Sequence, residues 1–190
     1  MIHRNRLRSA WNRVGSGEIH RAPREWQPWL SDTGSLTQKI EKAIGQKLEV
    51  QVLRDCPQSL NSDESRYFHF KLRRCRVREV LLCSNGVPLV MAHSVIPTLS
   101  SSGSNHTILR LGTKPLGAVL FSKTHKHSKS KPPRDIARLD KSSELWKKCS
   151  KHFSNLNSPL WARRTLYRLK GHPILVNEIF LPALLDAAKF

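Results

Sequence analysis

A chain of 190 residues with 38 % hydrophobic and 25 % charged residues has the length and apolar content of one domain with one core. It contains no apolar run of about 18 residues, which argues against a membrane-spanning helix. Its basic start, with no apolar stretch behind it, argues against a secretory signal. The formal net charge of +19 points to anionic partners: nucleic acid, an acidic membrane surface or an acidic small molecule.

Residues 1–25 read as a loose basic arm, with Gly15-Ser16-Gly17 and Pro23 breaking any periodicity. The packed part begins at Trp26, Trp29 and Leu30. Ser35 and Gln38 have the spacing of a capping box, and Leu36, Ile40, Ala43 and Ile44 form a stripe at helical period. With Gly45 as terminator, they predict a helix. Residues 48–54 alternate and predict a strand. Residues 56–64 read as a loop, and 67–83 as a long β-rich stretch. Asn85-Gly86 tolerates the positive φ of a type I′ turn and predicts a hairpin into a partner strand over 89–96. Short helical pieces are expected at 107–111 and 116–121. Residues 122–159, rich in Lys, Ser and His, are expected to be an exposed, partly mobile insert with a short helix at Leu145-Trp146. A closing hairpin is expected around Lys170-Gly171-His172-Pro173. The order predicts a single α+β domain over 26–185, with a mostly antiparallel sheet and helices on one face.

The four cysteines, Cys56, Cys75, Cys83 and Cys149, include no CxxC spacing. They read as reduced thiols of a cytoplasmic protein, and no metal site is expected from them. The positive charge is unevenly spread: residues 123–151 hold ten Lys or Arg against three acids.

Two charges interrupt apolar strands. Arg78 shares strand parity with Val80 and Leu82, and Glu178 shares it with Val176 and Phe180. Arg and Glu are rarely buried unpaired. Three arrangements satisfy that rule: a buried Arg78–Glu178 pair, a neighbour pair such as Arg76–Glu79, or an apolar pocket lined by both charges. In the last, Arg78 would offer a donor fork to a carboxylate and Glu178 would accept from a hydroxyl at the opposite end.

Several segments, in order, resemble the chorismate pyruvate-lyase family. Arg78-Glu79-Val80-Leu81-Leu82-Cys83 followed by Asn85-Gly86 is similar to its REILLC-x-x-G strand and turn. Leu111-Gly112-Thr113-Lys114-Pro115-Leu116-Gly117 with Leu120-Phe121 resembles its LG-x-x-PLG-x-x-LF segment. Leu160-Trp161-Ala162-Arg163-Arg164 resembles LWGRR. Gly171 through Pro182 resembles its G-x-P-L-L-L-T-E-L-F-L-P ending, and Trp29-Leu30 with Gly34-Ser35-Leu36-Thr37 its start. The resemblance runs from about Trp26 to Pro182 and implies helical flaps over an internal ligand site.

The activity it implies is that of a cofactor-free carbon–oxygen lyase. Chorismate is converted to 4-hydroxybenzoate and pyruvate, the first committed step of ubiquinone biosynthesis. The resemblance assigns Arg78 to the ring carboxylate and Glu178 to the ring hydroxyl, both catalytic. Leu116 is a ligand contact, and Leu36 stands where the family often has a binding methionine. Arg163 and Arg164 are either holders of the second carboxylate or exposed charges at the start of the hairpin. The rival from the same fold is a non-catalytic domain that binds small aromatic acids, as in bacterial transcription regulators; the roughly 25 residues before the core are too few for their helix-turn-helix domain. A specific nucleic-acid role is not expected, because the basic residues concentrate in the arm and insert without a recognition motif. The chain is expected to act as a monomer, with a possible peripheral contact between the basic insert and anionic membrane.

Overall fold

The structure, a computed structural model, describes residues 11–13, 17–68, 75–101, 108–122, 132–156 and 159–188. One antiparallel sheet organises them. Its strands are β1 (Asn12–Arg13), β2 (Glu49–Gln58), β3 (Cys75–Ser84), β4 (Val87–Pro97), β5 (Arg134–Leu139), β6 (Leu160–Leu169) and β7 (His172–Phe180). Their spatial order is β1-β5-β6-β7-β4-β3-β2. The helices are α1 (Gln27–Ser31), α2 (Leu36–Ile44), α3 (Ser62–Tyr67), α4 (Gly117–Leu120), α5 (Glu144–Ser150) and α6 (Ala183–Ala187). The fold is a single α+β domain. None of the described helices is long and apolar enough to cross a membrane.

Both tight hairpins close on consecutive residues of positive φ. Asn85 and Gly86 (50° and 75°) join β3 to β4, and Lys170 and Gly171 (49° and 86°) join β6 to β7, the type I′ pattern that matches strand twist. α2 forms where its stripe predicts it. Ser35 Oγ accepts from the Gln38 N–H, and Gly45 ends the helix at φ 74°. α3 falls where a loop is expected. Its signal is a true capping box: Asn61 Oδ1 accepts from Glu64 N at 2.7 Å, and the Glu64 carboxylate accepts from Asn61 N at 3.1 Å.

Strand parity sorts the core into two layers. On one face, Val80, Leu82, Val90 and Phe180 pack against Trp29 and Leu30 of α1 and Leu36 and Ile40 of α2. On the reverse face, Leu81, Cys83, Met91 and Ile179 pack against Leu145 and Cys149 of α5, and Val77, Val95 and Leu175 pack with Leu60 and Phe68 around α3. The helices therefore cover both faces, where one was expected.

Two peripheral expectations also change. Residues 122–159 contain β5, which pairs with β6 from Arg134↔Thr165 to Leu139↔Leu160 and is mostly buried. Its sequence, Arg-Asp-Ile-Ala-Arg-Leu, hides a strand among charges because Arg134 and Asp135 are themselves buried. Residues 123–131 lie outside the described residues. Within the arm, Asn12–Arg13 adds to β5 and Ala22 is buried in the core, so this part belongs to the fold; residues 1–10 and 14–16 lie outside the described residues.

Candidate functional site

An internal cavity lies between the sheet and the segments carrying α2 and α4. Arg78, Val80, Leu82, Ala92, Ser94, Val176 and Glu178 form its floor, and Ser35–Thr37, Pro115–Gly117, Leu120 and Phe121 its roof. All four residues singled out from the sequence, Leu36, Arg78, Leu116 and Glu178, line it. Its volume of about 50 Å³ admits only a few water molecules, so a ring-sized ligand requires the roof to move. A larger open recess of about 760 Å³ is bordered by Trp26, Trp161, Glu18, Arg21 and Arg138. Its charged residues are exposed or half-buried and Arg21 is paired with Glu18, so the buried charges belong to the smaller cavity.

Register places the two key charges. Arg78 faces Ser94 across β3–β4, and Glu178 faces Ala92 across β7–β4. Two strand spacings and two residues of offset separate their Cα atoms by about 12 Å. They are therefore not a pair: Arg78 is compensated by Asp55, which the sequence did not single out, and Glu178 by Arg163, for which the sequence suggested another role. The Arg78 Nη1 donates to Asp55 Oδ2 at 2.8 Å, while Nη2 donates to the carbonyls of Gly112 (2.7 Å) and Lys114 (3.2 Å). A guanidinium has five N–H donors, so capacity remains for a ligand carboxylate. Asp55 also accepts from Arg76. Burial pushes the Asp55 carboxyl up, but its bonds from Arg76 and Arg78 outweigh that and hold its pKa below the usual value.

Glu178 is held by Arg163, its cross-strand partner on β6. Arg163 Nε donates to Oε2 and Nη2 to Oε1. Arg163 is fully buried and also donates Nη1 to the carbonyls of Trp29 (3.0 Å) and Asp32 (2.9 Å). Burial works against its charge, yet the Glu178 carboxylate raises its pKa above the ordinary value. Arg163 thus fixes Glu178 from behind and ties α1 to the sheet. Arg164 points to the reverse face, donating to Asp63 of α3 at 2.7 Å and lying over the Trp11 ring. Neither arginine lines the cavity.

Three hydroxyl residues at the cavity were also not singled out. Ser94, beside Arg78 in register, is buried and has no side-chain partner among the described residues. Thr37 follows Leu36 in the first turn of α2, whose positive end suits an anion. Tyr167 of β6 is buried, with its ring edge-on to Phe121 at 5.7 Å. Burial raises its pKa and the nearby Glu178 charge adds to this, so the phenol stays protonated. Among the described residues, no three or more His, Cys, Asp or Glu side chains are grouped to hold a metal ion.

A narrow, mostly apolar chamber with a cation at one end and a fixed carboxylate at the other suits a flat molecule bearing a carboxylate and an opposite hydroxyl. A family model described as chorismate lyase matches residues 7–190. The "Probable chorismate pyruvate-lyase" of Thiobacillus denitrificans is 37 % identical over 164 residues, 86 % of either chain. The "Chorismate pyruvate-lyase" of Yersinia enterocolitica is 32 % identical over 156 residues, 82 % of this chain and 80 % of that one. Among solved structures, PhnF from Mycobacterium smegmatis superposes with a TM-score of 0.57 at 12 % identity, over 80 % of this chain and 66 % of that one, a likeness of fold alone. On the family match and these identities, the chain belongs to the chorismate lyase family.

Proposed function

We propose that the chain is a chorismate pyruvate-lyase, converting chorismate to 4-hydroxybenzoate and pyruvate. The observation that carries this reading is the placement of Arg78 and Glu178 at opposite ends of one cavity, with Leu36 and Leu116 in its walls. Arg78 holds the ring carboxylate and Glu178 accepts from the ring hydroxyl. The apolar walls exclude water and fix the reacting conformer.

The reaction breaks the ether C–O bond and removes the hydrogen from the adjacent hydroxyl-bearing carbon, leaving an aromatic ring. Aromatisation supplies the driving force. Among the described residues the lining offers one carboxylate, Glu178, which is held by Arg163 and, on this reading, engaged by the ring hydroxyl. The hydrogen therefore passes directly to the methylene carbon of the departing enolpyruvyl group. That transfer yields pyruvate in one step, with no protein base. The roof opens to admit chorismate and again to release the aromatic acid.

The reading places the enzyme in the cytoplasm as a monomer, at the start of ubiquinone synthesis. We further propose that the basic stretch 122–159 makes peripheral contact with anionic membrane, since clustered Lys and Arg contribute about 1 kcal/mol each near an acidic surface. Unchanged binding to acidic vesicles after replacement of Lys123, Lys126, Lys129 and Lys131 by Gln, which leaves β5 intact, would remove that part. The central test is incubation with chorismate, following 4-hydroxybenzoate absorbance and pyruvate together. Stoichiometric appearance of both is expected. Tight 4-hydroxybenzoate binding without turnover would instead favour a non-catalytic aromatic-acid-binding domain.

A further inference from the structure

Chorismate carries two carboxylates, and the proposed reading accounts for one. On that reading, we infer that Tyr167, backed by Arg134, forms the subsite for the second carboxylate, the one on the enolpyruvyl arm. Arg134 of β5 is buried. Its Nε donates to Thr165 Oγ1 at 3.1 Å, Nη2 to the Thr33 carbonyl at 3.0 Å, and Nη1 to the Asp32 carbonyl. All three acceptors are neutral, and among the described residues no carboxylate lies within 4.0 Å of this guanidinium. The other buried cations on this face are matched: Arg78 by Asp55, and Arg163 by Glu178. Arg134 is thus a buried guanidinium on this face with no carboxylate partner among the described residues. A buried charge without a counter-charge is costly, and an anionic substrate group can offset it.

Tyr167 carries that charge to the cavity. It lines the wall, and its side chain interacts with Arg134 and lies within electrostatic reach of Arg163 and Glu178. The phenol O–H is a donor at the cavity wall. The substrate's geometry selects the same place. With the ring carboxylate on Arg78 and the hydroxyl on Glu178, the enolpyruvyl arm leaves the ring at the carbon next to the hydroxyl, at the Glu178 end. Tyr167 is the binding residue of this subsite, and Arg134 is a positioning residue that acts through it.

The product, 4-hydroxybenzoate, lacks the arm, which gives a clean test. Tyr167→Phe should raise KM for chorismate about tenfold, the scale of one hydrogen bond to a charged group. Its Kd for 4-hydroxybenzoate should stay within about twofold of wild type, where a general packing defect would move both constants together. Arg134→Lys, which keeps the charge, should retain more chorismate affinity than Arg134→Gln, with thermal melts confirming that each variant is folded. An unchanged chorismate KM in Tyr167→Phe, or equal losses for chorismate and 4-hydroxybenzoate, would overturn the subsite while leaving the lyase reading intact. Absence of chorismate turnover in the wild-type chain would overturn the lyase reading and this subsite with it.

Discussion

Replacing Glu178 with Gln removes one charge from a pair with almost no access to solvent. Arg163 would keep its bonds to the Trp29 and Asp32 carbonyls. Its nearest remaining carboxylate would be Asp32 at 3.8 Å, a side chain 22 % exposed. Breaking a buried ion pair from one side costs about 3–5 kcal/mol, because the surviving charge is stranded. The amide oxygen of Gln still accepts one guanidinium bond, which places the cost near the lower figure, about 3 kcal/mol. For a chain of this length each kcal/mol shifts Tm by roughly 2–4 °C, so Glu178→Gln should melt about 6–12 °C below wild type. Arg163→Met frees the two carbonyls as well, at about 1–3 kcal/mol each. The double variant strands no charge, so it should be more stable than the sum of the single effects allows, by at least about 1.5 kcal/mol. Thermal melts followed by circular dichroism measure all four proteins. Turnover, assayed well below every midpoint, should fall about 10–150-fold in Glu178→Gln, the range for losing a hydrogen bond to a charged group. A single-variant midpoint within about 2 °C of wild type, or singles that add within about 0.5 kcal/mol, would refute the stranded-charge reasoning. Unchanged turnover would refute the hydroxyl-acceptor role.

Arg78→Ala should lower kcat/KM by about two to three orders of magnitude, the loss of a buried charge-assisted carboxylate contact. It should remain folded, because Asp55 keeps Arg76; wild-type turnover by this variant would discard the carboxylate assignment. On the reverse face, His93 lies between Glu64 Oε1 (2.6 Å) and Glu79 Oε1 (2.9 Å), with Lys148 Nζ at 3.1 Å from Glu79. Burial opposes the imidazolium, but its bonds to Glu64 and Glu79 raise the His93 pKa above 6.5. The bond from His93 outweighs burial at Glu79 and lowers that carboxyl from 4.5 to about 2; Glu64 is also lowered, its bond from His93 overcoming burial. A raised histidine stabilises below pH 6.5 and loses that contribution as pH climbs through its folded value. Lowered glutamates stabilise above pH 4.5 and lose it on acidification. The cluster therefore contributes most between about pH 4.5 and 6.5, and the alkaline decline in Tm should flatten in His93→Gln. Burial pushes the Cys75 thiol up to about 11 and the Cys149 thiol to about 12, and raises Cys83 too, leaving half-buried Cys56 as the accessible thiol. A thiol reagent at pH 8 should modify one cysteine rapidly in the native protein and four after denaturation.

The parts of the fold read well from sequence are those specified by local chemistry. Asn85-Gly86 and Gly171 mark the reversals, and the Leu36–Ile44 stripe marks α2. The cavity residues were legible for a different reason: a charge on an apolar strand stands out, and the motifs around Arg78, Leu116 and Glu178 supply their roles. β5 was not legible, because its charges are buried through partners distant in sequence. Arg134 reaches the carbonyls of residues 32 and 33, and Asp135 lies 3.7 Å from Arg164. α3 carried a readable signal, Asn61 and Glu64 at capping-box spacing, masked by its position before a β-rich run.

The choice between Arg163 and Arg164 shows where reading by parity stops. Successive side chains on a strand face opposite ways, so one of two adjacent arginines must face the cavity layer and the other the reverse. Only register to Glu178 decides which: Arg163 stands directly across from it and Arg164 across from Asn177. The same division recurs in the sheet. Arg78 faces the cavity and Glu79 the His93 cluster; Ser94 faces the cavity and His93 the reverse; Glu178 faces the cavity while Asn177 donates to the His93 carbonyl. Four adjacent polar pairs thus straddle one sheet, and each charged member is compensated in its own layer. A β3 strand that slipped by one residue would exchange the layers, setting Glu79 in the cavity against Asp55 and Arg78 on the reverse face beside His93 and Lys148. Every such slip buries unmatched charge. The polar residues that create the ligand site therefore also enforce the register that positions it, and variants such as Arg78→Ala should loosen strand pairing locally as well as remove a ligand contact. Hydrogen exchange resolved by residue can separate the two effects: faster exchange in β3 and β4 with unchanged protection in β6 and β7 is the expected pattern, and uniform protection across all four strands would show that register is held by the apolar residues alone.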